Sequence, residues 1–436
     1  MRKKVAQEEE IRMKKIDIFK DIVQVMKEDS ATCKDVQGAD SKPYMEKIEE
    51  NMSDEEFVYL VSSYLATFGL TGHLKFRKNG YGKIPFRVQR YQDELYILEV
   101  DADDTPLHVG DRIAGVDGMS VKDFSEKNAE FFYQQPEERQ SPHWEIVLGF
   151  AKELSCVDKN GNAYTYQVKC GNYESRKEKY YYKKLKDEVS LIYLADFQDE
   201  VAINELYNKN KEDMDNAKYL IIDVRNNGGG TDSAFIPLIR YCIPEGAVCK
   251  DVKLKGNKYS NCNQEMNFSK RNCEIRKKGL QEYYSEELPE EAKAMIKQME
   301  AELEQNCGKG FVVTTEDDGS ENIDLPYVGD TKVEKVFVLT DGNCGSSGDN
   351  CVQILGAFPK VTVVGRPTMG ILDYSNVAVQ DYGDFSLMYP TSRLTYLDNG
   401  IHMMADGIEV DEYIPWTPEH IEKDVDVEYI LNNLIG

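Results

Sequence analysis

Residues 219–230 read Tyr219-Leu-Ile-Ile-Asp-Val-Arg-Asn-Asn-Gly-Gly-Gly. A short, mostly apolar run has the length and composition of a buried strand, and it leads straight into three glycines. Glycines at such a point permit positive φ and let backbone N–H groups face a ligand with no side chain between. A tight strand-to-helix turn or a phosphate loop would give the same pattern. Gly-Lys-Ser/Thr is absent, which excludes a P-loop, and Gly-x-Gly-x-x-Gly is absent too.

A second segment, Val336-Phe-Val-Leu-Thr-Asp-Gly-Asn-Cys-Gly-Ser-Ser-Gly-Asp, is followed by an amphipathic stretch. It places Ser346 on a sharp turn between a strand and a helix. That position suits a nucleophile, because the hydroxyl is exposed and the helix N-terminus stabilises developing negative charge. The Gly-x-Ser-x-Gly pattern of the nucleophile elbow is not met. A serine that merely caps the helix would look alike.

Around these segments the pattern is α/β. Strands are expected near 190–197, 218–224, 335–340 and 361–365, with crossover helices near 233–242 and 349–358. A polar insertion lies at about 250–330, with a helix near 289–305. Residues from about 8 to 82 read as helical. Ile16, Phe19, Ile22, Val23 and Met26 fall at helical spacing, and Ser53 with Glu56 forms a capping box ahead of an apolar face that ends at Gly69. From about 84 the period shifts to two. Gly110, Asp111, Ile113, Asp117, Gly118 and Val121 occupy the places of two turns and a strand that resemble the core of a PDZ domain, although Asp-Gly is also a common hairpin turn. The expected division is a helical domain (1–82), a PDZ-like β-rich domain (83–155) and a catalytic domain (156–436).

The 436 residues exceed what one core usually covers, and an apolar fraction of 41% suffices to build sizeable cores. Lys and Arg total 53 against 78 Asp and Glu, a net charge of −25. Such a surface repels phosphate backbones and anionic lipid, so neither nucleic acid nor membrane is an expected partner. No apolar run is long enough to insert into a bilayer. Basic residues near Met1 are not followed by an apolar stretch, so the expected location is the cytoplasm. None of the ten cysteines shows C-x-x-C spacing, so a zinc site is not expected and free thiols are.

In order along the chain, residues 225–230 (Arg-Asn-Asn-Gly-Gly-Gly), Ser346 and Val364-Gly-Arg-Pro-Thr-Met-Gly resemble the three blocks of a serine peptidase family. That family holds the C-terminal-processing (tail-specific) proteases, the tricorn core protease and the interphotoreceptor retinoid-binding protein. The resemblance implies a crotonase-like α/β catalytic core, no cofactor, and hydrolysis of peptide bonds in short or unfolded polypeptides. It also implies Ser346 as nucleophile, the N–H groups of Gly229 and Ser347 as oxyanion hole, and an acidic residue at Asp349. The tail-specific branch uses a lysine about 25 residues after the serine, where this chain has Ile371. The tricorn-like branch uses a histidine, and among five histidines Gly72-His73-Leu holds the matching place. The family's orienting glutamate falls on Met404, with Asp406 a nearby substitute. Without such an acid, backbone or water would hold the imidazole. A non-catalytic binding protein of the same fold is the competing reading.

Overall fold

The computed structural model describes residues 13–435 except 71, 134, 257, 260, 261, 286 and 316–324. The first ten residues, read above for a leader, and the start of the expected helical region lie outside the described residues. Helix α1 (Lys15–Glu28) and helix α2 (Asp54–Ala66) open the chain. The Ser53–Glu56 box closes at the start of α2, with Glu56 N–H donating to Ser53 Oγ (3.1 Å) and Ser53 N–H to Glu56 (2.9 Å). Between 67 and 82 the expected helix gives way to a strand, β1 (Lys75–Lys78).

An antiparallel sheet follows, in spatial order β2 (Phe86–Tyr91), β3 (Glu94–Val100), β4 (Arg112–Val116), β5 (Glu153–Val157), β6 (Ala163–Gln167), with Met119–Ser120 beside β4. Helix α3 (Ser141–Leu148) packs on β2 and buries Trp144. This sheet runs past the expected boundary at 155, because β6 pairs with β5 and Tyr166 joins its core.

The main sheet has the order β16 (Glu412–Tyr413), β13 (Val361–Gly365), β12 (Lys335–Thr340), β9 (Tyr219–Asp223), β8 (Val189–Leu194), β7 (Tyr180–Lys186). All neighbours are parallel except β7 and β8. Its side chains alternate between two cores. Leu220, Ile222, Val336 and Val338 join one core with α4 (Glu200–Asn216), and Ile221, Phe337 and Leu339 join the other with α8 (Val425–Tyr429). Both faces are therefore dry, which is why these strands read as unbroken apolar runs. The larger core also takes in Phe19 and Ile22 of α1 and Phe57 and Val61 of α2. The amino-terminal helices thus share the catalytic core instead of enclosing one of their own.

A third sheet stands on β15 (Phe385–Leu394). On one edge it carries β1 and β10 (Gln264–Phe268), and on the other β14 (Tyr374–Asp381). Strand β11 (Gly310–Thr315) pairs with β10, and the insertion between them holds α5 (Lys270–Tyr283) and α6 (Glu290–Asn306). The expected crossover helix at 233–242 is a set of short turns, with only Ile239–Cys242 α-helical. Pro237 in its middle lacks the N–H that a continuous helix needs. The other crossover, α7, spans Ser347–Gly356. All ten cysteines are free thiols, and no helix among the described residues is long and apolar enough to cross a membrane.

The glycine block is anchored from below by charge. Arg225 donates to Asp223, Asp424 and Asp426, and Arg366 makes a two-pronged contact with Asp426 at 2.7 and 2.8 Å. Asp426 is fully buried, and His420 Nε2 lies 3.2 Å away. Burial pushes its carboxyl up, but the bonds from His420 and Arg366 and the charges of Arg366 and Arg225 hold it far below the usual carboxylate range. Asp426→Asn strips two guanidiniums of their shared anion. It is expected to cost about 3–5 kcal/mol, read as a fall in the urea midpoint at pH 7. Because the folded carboxyl is more acidic than the unfolded one, this stabilisation is complete above about pH 4 and fades as the pH falls below it, a fade the variant should lack.

Candidate active site

Ser346 stands where β12 passes into α7, half-buried, with φ +59° and ψ −123°. A non-glycine residue in that region is strained, and such strain persists only where the surroundings over-determine it. The surroundings are a carboxylate and a glycine. Asp349, fully buried, accepts the N–H of Ser346 (2.8 Å), of Gly370 (2.8 Å) and of Ile371 (2.9 Å). Burial pushes its carboxyl up to about 6, against the Thr368 hydroxyl and the three amides that bond it. Gly229, at φ +86°, lies so near that a Cβ built on it would stand 2.7 Å from Ser346 Cβ and 2.9 Å from the Gly345 carbonyl oxygen. Only glycine fits there.

The backbone N–H of Ser347 has no acceptor among the described residues and opens the first turn of α7. Its hydroxyl donates to Asp232, which also accepts from Asn350 (2.7 Å), so Asp232 ties the glycine loop to the head of α7. The N–H of Gly229, by contrast, donates to Asn227 Oδ1 at 2.9 Å.

His73 lies between α2 and β1, with Nδ1 2.6 Å from the carbonyl oxygen of Tyr374. A carbonyl only accepts, so Nδ1 carries the proton and the lone pair is left on Nε2. Burial lowers the imidazole pKa, opposed by backbone hydrogen bonds at Tyr374 and Ile371. Ile371 lies beside both segments. A Cβ on Gly72 would meet its Cδ1 at 2.8 Å, and one on Gly345 would meet the same atom at 3.2 Å. The residues next in chain to His73 and Ser346 thus press on one methyl group. No hydrogen bond joins Ser346 to His73 among the described residues, as is common before substrate tightens a site.

Asp406 is the substitute expected for the family's orienting glutamate. Its carboxylate is 57% exposed and pairs with Lys258 of the insertion at 2.6 Å. Met404 presents its carbonyl to Arg139 (3.2 Å) and to Gln135 (2.8 Å). Arg139 was not singled out by the sequence. Buried, it also donates to the carbonyls of Met369 (2.8 Å) and Ala405 (2.9 Å), which clamps the 369 and 404 loops together. Beside these loops a cavity of about 210 Å³ is lined by Lys83, Arg87, Glu145, Asn226, Asn343 and Met369.

A mainly parallel sheet that ends in a glycine turn and a strained serine at a helix head is the framework of a serine-type peptidase, a hydrolase. The sequence profile of peptidase family S41 matches residues 188–414, more than half of the chain, and the chain belongs to that family, which contains the C-terminal-processing and tricorn-like enzymes. Mature CPAF complexed with lactacystin is similar over 97% of this chain and 98% of its own, at 13% identity and a TM-score of 0.61. The photosystem II D1 C-terminal processing protease aligns over 93% and 94% of the two chains, at 12% identity and a TM-score of 0.43. The tricorn protease aligns over 97% of this chain and 36% of its own, at 12% identity and 0.42. At such identities the likeness concerns the fold alone. No curated protein matches.

Asp349→Asn would turn an NH₂ group towards at least one of the three amides that Asp349 accepts. It is expected to lower kcat on the order of 10²-fold through displacement of the serine turn. Stability supplies a second readout. A carboxyl raised to about 6 binds a proton that the unfolded chain releases near pH 4, so this group makes stability fall as pH rises from about 4 to 6. Urea midpoints across that range should lose this decline in the variant.

Proposed function

We propose that Ser346 is the nucleophile and His73 the general base in hydrolysis of short or unfolded polypeptides. His73 Nε2 takes the Oγ proton as Oγ attacks the scissile carbonyl. The oxyanion that forms is held by Ser347 N–H at the helix head, and by Gly229 N–H once that group exchanges Asn227 Oδ1 for the oxyanion. The same imidazole returns the proton to the leaving amine, and water then hydrolyses the acyl-enzyme. Tyr374 fixes the tautomer, a task that an acidic side chain performs in a full triad. The observation that carries this reading is the strained turn of Ser346 against Gly229, for which a packing role gives no reason.

The core is read as crotonase-like and the β2–β6 unit as PDZ-like. In support of the second, α3 lies along β2, the outer edge of β2 bears no strand among the described residues, and the cavity by Met369 opens beside it. An extended chain added at that edge would lead towards Ser346. A catalytically weak peptide binder is the second reading, favoured by the backbone carbonyl at Nδ1 in place of a carboxylate.

Ser346→Ala is expected to abolish labelling by a fluorophosphonate and to lower peptide hydrolysis by ~10³-fold or more, with the thermal transition nearly unchanged. Hydrolysis at the wild-type rate would reject the assignment, and absence of labelling in the wild type would favour the binder. The pH profile identifies the base. Since burial lowers the His73 pKa and Asp349 titrates at about 6, kcat/KM should rise along an acid limb below pH 6.5 that is steeper than one proton. His73→Ala should lower kcat by a large factor, whereas an acid limb above pH 8 would point to another base.

A further inference from the structure

The insertion is held to the rest of the protein unevenly. Helix α5 is bound on several sides: Arg271 pairs with Asp21 (2.7 Å) and Asp29 (2.8 Å), Arg276 donates to the Asn376 carbonyl (3.0 Å), and Asn272 accepts from Tyr389 (2.8 Å). Helix α6 packs beside α5. It buries Ile296 and Leu303, leaves Met295 and Met299 exposed, and reaches α5 through an exposed Lys277–Glu304 pair at 3.5 Å. Its packing partners at the carboxyl end are Phe268 and Cys273, in a small cluster separate from the main cores.

At that end two cysteines lie on neighbouring stretches of chain. Cys273 lies in the first turns of α5 and is buried, and Cys307 is the exposed C-cap residue of α6. The Gly308 N–H bonds the Phe268 carbonyl at 2.7 Å, which holds the chain leaving α6 beside the chain entering α5. Cys307 lies near enough to Cys273 to raise its thiol pKa. Among the ten cysteines this pair joins a solvent-reachable sulfur to a buried sulfur across two different elements.

We propose that Cys273 and Cys307 form a disulfide under oxidising conditions, and that this bond fastens the carboxyl end of α6 to α5. The oxidant is a small disulfide of the glutathione type. The exposed Cys307 thiolate attacks one of its sulfurs and expels one thiolate. The Cys273 thiolate then attacks Cys307 Sγ in the mixed disulfide and expels no group from the protein but the second small thiolate. Two protein S–H bonds are lost, one S–S bond is formed, and two electrons and two protons end on two small thiols. Burial, with the neighbouring Cys307, pushes the Cys273 thiol up to about 12, while the Gly308 amide opposes that shift, so the second step should accelerate as pH rises.

The test uses the full chain in its folded state. After incubation with oxidised glutathione and capping of remaining thiols by iodoacetamide, peptides are mapped by mass without reduction. The expected product is a peptide pair joined through Cys273 and Cys307, two hydrogens lighter than the sum of its parts. Amide exchange across α6 should slow ten-fold or more relative to the reduced protein, and Cys307→Ser, a change at an exposed site, should abolish both effects. Cys307 left as a glutathione adduct, cross-linking of either residue to another cysteine, or unchanged exchange in α6 after cross-linking would overturn the proposal.

Discussion

The carboxylate of Asp349 is fully buried and faces three backbone N–H groups drawn from two separate loops. A buried carboxylate is costly unless its oxygens are satisfied, and bonds to a charged acceptor contribute about 1.5–3 kcal/mol each. The chain therefore holds the serine turn and the 370 loop against one point. Ile371 hangs from that point and wedges between Gly72 and Gly345, so the position of His73 is tied to the same anchor as that of Ser346.

The surrounding clamps serve that geometry from outside. Arg139, carried by the β2–β6 unit, gathers three carbonyls of the 369 and 404 loops, and Asp232 fixes the glycine turn to the head of α7. At Nδ1 of His73 a peptide dipole stands where a full negative charge would stabilise an imidazolium more strongly. The neutral ring is correspondingly favoured at neutral pH. Under the proposed assignment this trades stabilisation of the protonated ring for a larger population of free base.

The parts of this arrangement that were legible in the sequence share one property: they are local. The β-branched runs became β9, β12 and β13 because both faces of the main sheet are dry, and the Ser53 box closed as its spacing required. The glycine block, Ser346, Asp349 and His73 all fall on turns that the local pattern marks. What was not legible is held by partners far along the chain or by backbone atoms. Tyr374 contributes a carbonyl, which no side-chain pattern can announce. Arg139 meets the Met369 carbonyl 230 residues away, and Asp406 was drawn off by Lys258, 148 residues earlier in the insertion. Pro237 breaks the run from 233 to 242, because its missing N–H ends the helix that the apolar residues around it would otherwise form.

The charge cluster beneath the glycine block has a consequence for the order of assembly. Arg225 finds Asp426 across 201 positions of sequence, and Arg366 finds it across 60. A chain synthesised from its amino terminus at about 5–20 residues per second carries Arg366 for about 3–12 seconds before Asp426 exists, whereas Arg225 has Asp223 beside it from the start. Until then the guanidinium that follows β13 lacks the carboxylate it pairs with in the folded chain. The charge cluster beneath the glycine block is therefore complete only once α8 has been made.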